Sequence, residues 1–327
     1  MHTLRRVAVI DCGTNTFNLR VVDLGAERGW IPVFGQRISV RLGQGGVAKK
    51  MIRPDRMARG LDALIAMREA IRNYNVDEVH VLATSAMRDA KNSQEFLAQA
   101  KALAGFDIQV ISGQHEARLI QEGVRLNLPE THDQTHMTMD IGGGSVEFVI
   151  WNQNGIEWSQ SFDTGVARLH MLMGLSDPIG QDGLLKMKPY FDDVMAPLSA
   201  AISALGPEVL VGASGSFDTI ADLVGTRTRV ERPDHAQTPE PHPAVDPIPM
   251  NVWNDVFLQL TEKDVHHRAA MPGMDPARVD LMPYSASLIH WVLQQGSITD
   301  LWRAPYALRE GVLSRIERHL PLLPDLN

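Results

Sequence analysis

Short apolar runs of strand length alternate along this chain with helix-like segments, the pattern of an α/β protein. Val7-Ala8-Val9-Ile10 and the run 17–22 flank a tight turn and predict a hairpin, and residues 36–42 predict a third strand ending at Gly43-Gln44-Gly45-Gly46. Arg53-Pro54-Asp55 opens a helix to about residue 73, with proline near its first turn. Residues 78–83 predict a short buried strand closed by the small-residue loop 84–90. Asn92-Ser93 is expected to cap another helix. Residues 108–111 read as a strand, and Ser112 as N-cap of the helix that follows. Three strands, helix, strand, helix, strand, helix make one half.

The pattern restarts near Thr135 with a second hairpin that continues through residues 157–162 into Asp163-Thr164-Gly165-Val166-Ala167-Arg168. Helices are expected on either side of Pro189. Glu208-Val209-Leu210-Val211 predicts a buried strand leading into Gly212-Ala213-Ser214-Gly215-Ser216 and a helix from about Phe217 to Val224. Repeated proline with histidine and acidic residues between Thr226 and Pro249 reads as an exposed loop or insertion. A helical tail over 252–293, broken around Met271-Pro272-Gly273-Met274, and a last helix over 306–320 complete the chain. The expected domains are residues 1–124 and 125–327, with the last helix crossing back to the first.

The two hairpins carry the same motif. Asp11-Cys12-Gly13-Thr14-Asn15-Thr16 and Asp140-Ile141-Gly142-Gly143-Gly144-Ser145 both read Asp-x-Gly-x-x-[Thr/Ser]. Laid over each other, Asp11 meets Asp140, Gly13 meets Gly142, Thr16 meets Ser145 and Asn18 meets Glu147. A glycine turn lets amide groups converge on an anion, and a carboxylate just before it can hold a metal ion or its water. A turn alone needs no upstream aspartate, so two superimposable copies point to phosphate binding. Neither is a Rossmann fingerprint, since Glu147 stands where the third glycine would fall and a strand follows where a helix is needed. Gly43 is followed five residues later by Ala48, which excludes a Walker loop.

Composition narrows the function. The 327 residues are 44% hydrophobic and 21% charged, enough for two globular domains. A net charge of −8 argues against a non-specific nucleic-acid binder. The lone Cys12 excludes an intramolecular disulfide and fits a reducing compartment; on its strand it alternates away from Asp11 and is expected to pack. The apolar run before Asp11 is too short for a signal peptide or membrane span, so a cytoplasmic protein is expected.

Several side chains carry two readings. Glu116, in a first helical turn, is either a carboxylate favoured by the helix dipole or a general base. His115-Glu116 opens no zincin motif, because Leu119 occupies the second histidine position. Arg88 is either a surface charge paired with Asp89 or a phosphate fork. Ser214-Gly215-Ser216 is either a plain cap or an anion site.

Together these runs resemble the exopolyphosphatase/guanosine pentaphosphate phosphatase (Ppx/GppA) family. The resemblance rests on the two glycine motifs and on Ala83-Thr84-Ser85-Ala86-Met87-Arg88-Asp89-Ala90. It also rests on the run Ile111 to Ile120 around Glu116, on Gly212 to Ser216 and on Leu308-Arg309-Glu310-Gly311. It implies two ribonuclease-H-like domains of the actin/Hsp70/sugar-kinase type with an active-site cleft between them. It further implies Glu116 as catalytic base, Mg²⁺ placed by Asp140 and Glu147 with Asp11, and phosphates gripped by Arg88 and both glycine loops. The chain departs from the family pattern at Thr14 and Thr16, at Gln114-His115 and at Val146. Longer members carry further C-terminal helical domains, so short polyphosphate is the expected substrate, beside guanosine pentaphosphate. The rival expectations are an ATP-dependent phosphotransferase of the same fold and a non-catalytic guanosine tetra- or pentaphosphate-binding protein. Helical C-terminal surfaces are compatible with a homodimer.

Overall fold

The computed structural model describes residues 4–25, 30–46, 50–128, 134–226 and 242–326. Residues 227–241, most of the proline- and histidine-containing segment, lie outside the described residues. Two compact units divide the chain: Met1–Gly123 with Val230–Pro243 and Leu308–Asn327, and Val124–Arg229 with Ala244–Ala307.

The first unit begins with strands β1 (Arg5–Cys12), β2 (Thr16–Leu24) and β3 (Ile31–Ser39) and helix α1 (Pro54–Arg72). It continues through β4 (Glu78–Ala83), α2 (Ser85–Asp89), α3 (Ser93–Ala104), β5 (Ile108–Val110) and α4 (Gly113–Arg125). The second unit holds β6 (His136–Ile141), β7 (Val146–Asn152), β8 (Gly155–Phe162), α5 (Val166–Met173), α6 (Gly180–Val194) and α7 (Ala196–Leu205). It goes on with β9 (Val209–Ala213), α8 (Ser214–Val224), β10 (Asp246–Pro247), α9 (Met250–Glu262), α10 (Val265–Ala270), α11 (Met282–Leu293) and β11 (Asp300–Arg303). Helix α12 (Leu308–Glu317) returns to the first unit and packs on β1.

The two sheets share one topology. Strand order is β3-β2-β1-β4-β5 in the first unit and β8-β7-β6-β9-β11, with β10 beyond, in the second. In each, two antiparallel strands flank the opening strand on one side and two parallel strands extend the other. Each unit is therefore ribonuclease-H-like, and the pair makes an α/β protein of the actin/Hsp70/sugar-kinase type.

Burial explains why the opening strands read as apolar runs rather than alternating ones. Ala8, Ile10 and Cys12 join Leu61, Leu64 and Phe96 in the core beneath α1 and α3. Val7 and Val9 are equally buried on the other face, where α12 lies. All six residues of β6 are buried, including Thr138, whose hydroxyl accepts from Trp151 Nε1 at 3.0 Å. A sheet covered on both faces needs apolar side chains at successive positions. Cys12 is packed as expected, and burial pushes its thiol pKa well up.

Some local expectations shift. Residues 84–90 are not a plain loop but wind into α2, with Arg88 N bonded to Thr84 O at 3.0 Å. Asn92 does not cap α3 with its side chain; it brackets Ile52 instead, accepting from Ile52 N at 2.8 Å and donating to Ile52 O at 2.9 Å. Helix α6 runs through Pro189 rather than breaking there, because Pro189 sits on the exposed side, where water can take the carbonyl it leaves unbonded. Strand β3 starts earlier than its sequence predicts and bulges against β2 near Val21. The C-terminal helical stretch breaks first at Lys263-Asp264, where Asp264 Oδ1 accepts from His267 N at 2.8 Å. Strand β11, four residues long, carried no distinct sequence signal.

Candidate active site

Each glycine motif closes the first hairpin of its unit in the same register. Asp11 faces Asn18 and Cys12 faces Phe17 in one; Asp140 faces Glu147 and Ile141 faces Val146 in the other. The turn bond is also the same: Gly13 N donates to Thr16 O at 3.1 Å, and Gly142 N to Ser145 O at 3.0 Å. A Cβ on Gly13 would come within 3.0 Å of Thr16 O, and one on Gly142 within 2.9 Å of Ser145 O. Glycine is needed at both positions because the turn closes too tightly for a side chain.

The use of the loop carbonyls sets the direction of the loop amides. In the second unit Gly142 O accepts from Val166 N at 3.0 Å and Gly143 O from Ala167 N at 3.0 Å. Gly144 O accepts from Gly165 N at 3.1 Å and from Arg168 Nε at 3.1 Å. Three successive carbonyls thus turn toward the start of α5. In a planar trans peptide the amide of the next residue points the opposite way, so the N–H groups of Gly143, Gly144 and Ser145 turn together away from α5. In the first unit Asn15 O accepts from Val40 N and Arg41 N, both at 2.9 Å, and Thr14 O from Gly43 N at 3.3 Å. The amides of Asn15 and Thr16 are turned away in the same manner. In both units the brace is the segment that follows the third strand. Convergent main-chain amides of this kind form an anion-binding concavity.

Beside the first loop stand Arg88 and Glu116. Glu116 lies in the first turn of α4 and is buried. Ser112 caps that helix, its Oγ accepting from His115 N at 3.2 Å. Arg88 Nη1 donates to Glu116 Oε2 at 3.0 Å and to Ile111 O at 3.0 Å. The arginine thus orients the carboxylate. Asp11 accepts a long 3.4 Å bond from Asn18 Nδ2, and the rung it shares with Asn18 ends at Arg37 on β3.

The second unit gathers Asp140, Glu147 and the first turn of α8. Ser214 Oγ donates to Asp140 Oδ2 at 2.7 Å, and Ser161 Oγ to Glu147 Oε1 at 2.8 Å. Burial pushes the Asp140 carboxyl up to about 6; the Ser214 bond and the nearby Arg278 work against that shift, and Asp218 adds to it. Helix α8 starts at Ser214, earlier than expected, so Ser214, Gly215 and Ser216 are its first turn. Ser214 adopts φ +64, a left-handed conformation costly for a side-chain residue, and its hydroxyl reaches Asp140 from there. Ser216 is buried with its hydroxyl 3.0 Å from Ser285 Oγ on α11, so that group anchors the helix and only the main chain of Ser216 remains at the turn.

The chain matches the Ppx/GppA phosphatase family over residues 21–320. It belongs to that family. It is 25% identical over 320 residues to a putative exopolyphosphatase of Haemophilus influenzae, covering 97% of this chain and 93% of that one. It is 26% identical over 317 residues to exopolyphosphatase 1 of Mycobacterium bovis, covering 95% and 88%. The crystal structure of an exopolyphosphatase from Cytophaga hutchinsonii superposes with a TM-score of 0.89 at 35% identity, covering 98% of this chain and all of that one.

For a Ppx/GppA phosphatase the donor set is informative. Within the second unit, Asp140 and Glu147 face each other across β6 and β7 and offer hard oxygen atoms, which would suit Mg²⁺ rather than a thiophilic metal. Burial raises the proton affinity of the Asp140 carboxyl, and a divalent cation bound there would offset that cost to its ionised form. Among the described residues no group of three or more His, Cys, Asp or Glu side chains gathers to hold a metal. A magnesium ion here would keep mostly water and substrate oxygens.

Three groups escaped the sequence reading. Arg278 lies over the first turn of α8, so close that a Cβ on Gly215 would stand 1.7 Å from its Nη2, and Asp275 holds its Nε at 3.1 Å. Its ion pair with Asp275 is local, but Gly215 and the first turn of α8, over which it lies, are far away in sequence. Gly165 and Arg168, which brace the triple-glycine loop, did carry a signal: a glycine directly ahead of a helix and just after a strand. Arg37 was legible only once strand register was known.

Proposed function

We propose that this Ppx/GppA phosphatase removes the terminal phosphate of linear polyphosphate as orthophosphate, with guanosine pentaphosphate as a second substrate of the same chemistry. The observation that carries the reading is the buried Glu116 carboxylate, oriented by Arg88 at 3.0 Å in the unit that holds the first glycine loop. The turned amides of each loop take phosphate oxygens, and Arg88 adds a planar donor to them. Glu116 accepts the proton of the attacking water. The water oxygen bonds to the terminal phosphorus as the bridging P–O bond breaks, and the shortened chain leaves with the bridging oxygen. Asp140 and Glu147 would hold Mg²⁺, which supplies charge neutralisation on the phosphate oxygens when bound. Positioning and electrostatics are the main demands of phosphoryl transfer, so this inventory suffices.

Phosphate release from tripolyphosphate, long polyphosphate, guanosine pentaphosphate and ATP, with and without Mg²⁺, tests the reading. Release is expected from tripolyphosphate and guanosine pentaphosphate, more slowly from long polyphosphate, and only with magnesium. Glu116→Gln should fold and lose on the order of 10²–10⁴-fold in kcat. Parental turnover in that variant removes Glu116 from the role. Transfer from ATP to an acceptor without phosphate release turns the assignment toward a phosphotransferase, and tight binding without turnover toward a sensor.

A further inference from the structure

We infer that Arg118 and Arg315 are positioning residues for Glu116, acting through a strap made by residues 321–326. The inference rests on Glu116 being the base.

Helix α4 has thirteen residues, a length with little stability of its own in water. Its outer side is gripped by the end of the chain. Arg118 donates to Asp325 O through Nη1 and to Leu326 O through Nη2, the latter at 3.3 Å. Arg315 on α12 donates to Pro321 O at 2.6 Å and to Leu323 O at 3.4 Å, and pairs with Glu122 of α4 at 2.5 Å. Between the bonded carbonyls Pro324 is buried, so the strap is seated by packing as well as by hydrogen bonds. Pro321 and Pro324 restrict the tail before it docks, which lowers the entropy lost in seating it.

Arg118 and Glu122 are four residues apart and share one face of α4. Glu116, two residues before Arg118, lies about 200° round the helix from it. The strap therefore holds the back of α4 while Glu116 meets Arg88 at the front. Every strap acceptor is a main-chain carbonyl, so the grip depends on two arginines and on the path of the tail, and little on the tail's side chains.

The test uses the full chain, Arg118→Met, Arg118→Lys, a chain ending at Leu320, and that truncation combined with Arg118→Met. Read are kcat and KM for magnesium-dependent phosphate release from tripolyphosphate, amide exchange across 113–125, and thermal melting. Truncation and Arg118→Met should each lower kcat on the order of tenfold, because a displaced base loses rate steeply. KM should stay within about twofold, since substrate binding is not the affected step. Exchange across 113–125 should quicken in both while the rest of the first unit keeps its protection. The double variant should be no slower than the truncation, because both remove one contact. Arg118→Lys keeps a donor and should recover part of the loss. Parental kcat in the truncated chain, unchanged exchange in α4, or exchange rising evenly through the unit each overturn the inference. If the parent releases no phosphate, or Glu116→Gln keeps its turnover, the functional reading fails and the exchange arm alone decides the strap.

Discussion

Asp140 is a buried carboxylate whose affinity for a proton has been raised by its surroundings, and the cost falls on folding. Its pKa stands at about 6 against an ordinary value of 3.8. Between those values the folded chain binds a proton that the unfolded chain has released, so this group's contribution falls as pH rises through the window. Above about pH 6 the whole penalty applies, roughly 3 kcal/mol for a shift of about two units. Asp140→Asn cannot ionise. In metal-free buffer it should be more stable than the parent at pH 7.5 and should lose that advantage near pH 4, by urea unfolding at both values. Its magnesium-dependent turnover should be largely gone. A variant less stable than the parent at both pH values would show that the carboxylate is well solvated or paired. The strained Ser214 beside it belongs to the same account, since its left-handed backbone puts its hydroxyl on Asp140.

At the scale of elements, glycine loops do not aim themselves; the segments behind them do. Gly165 shows this cleanly. Its φ −61 and ψ 159 are open to any residue, so glycine is required for space alone. A Cβ there would lie 2.5 Å from Gly143 C and 2.5 Å from Gly144 N, both main chain and unable to move aside. Gly165→Ala should push the triple-glycine loop off its brace. Destabilisation should be modest, about 1–3 kcal/mol, while kcat/KM for tripolyphosphate falls on the order of a hundredfold. A fall in melting temperature with unchanged kcat/KM would detach the brace from function. The same contrast explains what could be read in advance. The hairpins, the motif pair and the cap at Ser112 depend on neighbours in sequence, and all were legible there. Helix α2 was not, because small residues around Arg88 look like loop until the chain ends on either side are fixed. Pro189 reads as a break because proline removes a helical bond, whereas the exposure that lets water take the freed carbonyl is a property of the tertiary fold. Arg278 and Arg37 reach their places through strand order and long-range packing, and periodicity carries no trace of either.

At the scale of the molecule, one topology occurs twice and each copy has its own core. The first copy is discontinuous: its sheet comes from the N-terminal part, while α12 arrives from the far end to cover Val7 and Val9. The fit of α12 turns on Gly311, where a Cβ would stand 1.9 Å from Leu119 O and 2.8 Å from Leu119 C. Gly311→Val should therefore push α12 off α4 and loosen the packing on that face of the first sheet, without touching a residue of the second core. Separate cores predict separate cooperative units. Amides of β1 and β4 should exchange faster in Gly311→Val, while those of β6 and β9 keep parental protection. Tryptophan offers a second view, since Trp30 belongs to the first unit and Trp151, Trp158, Trp253, Trp291 and Trp302 to the second. Unfolding followed by fluorescence should thus keep most of its parental transition, whereas far-ultraviolet circular dichroism should gain an earlier step. A single transition moved equally in both signals, with exchange quickened throughout, would mean that the two copies fold as one body despite their separate cores.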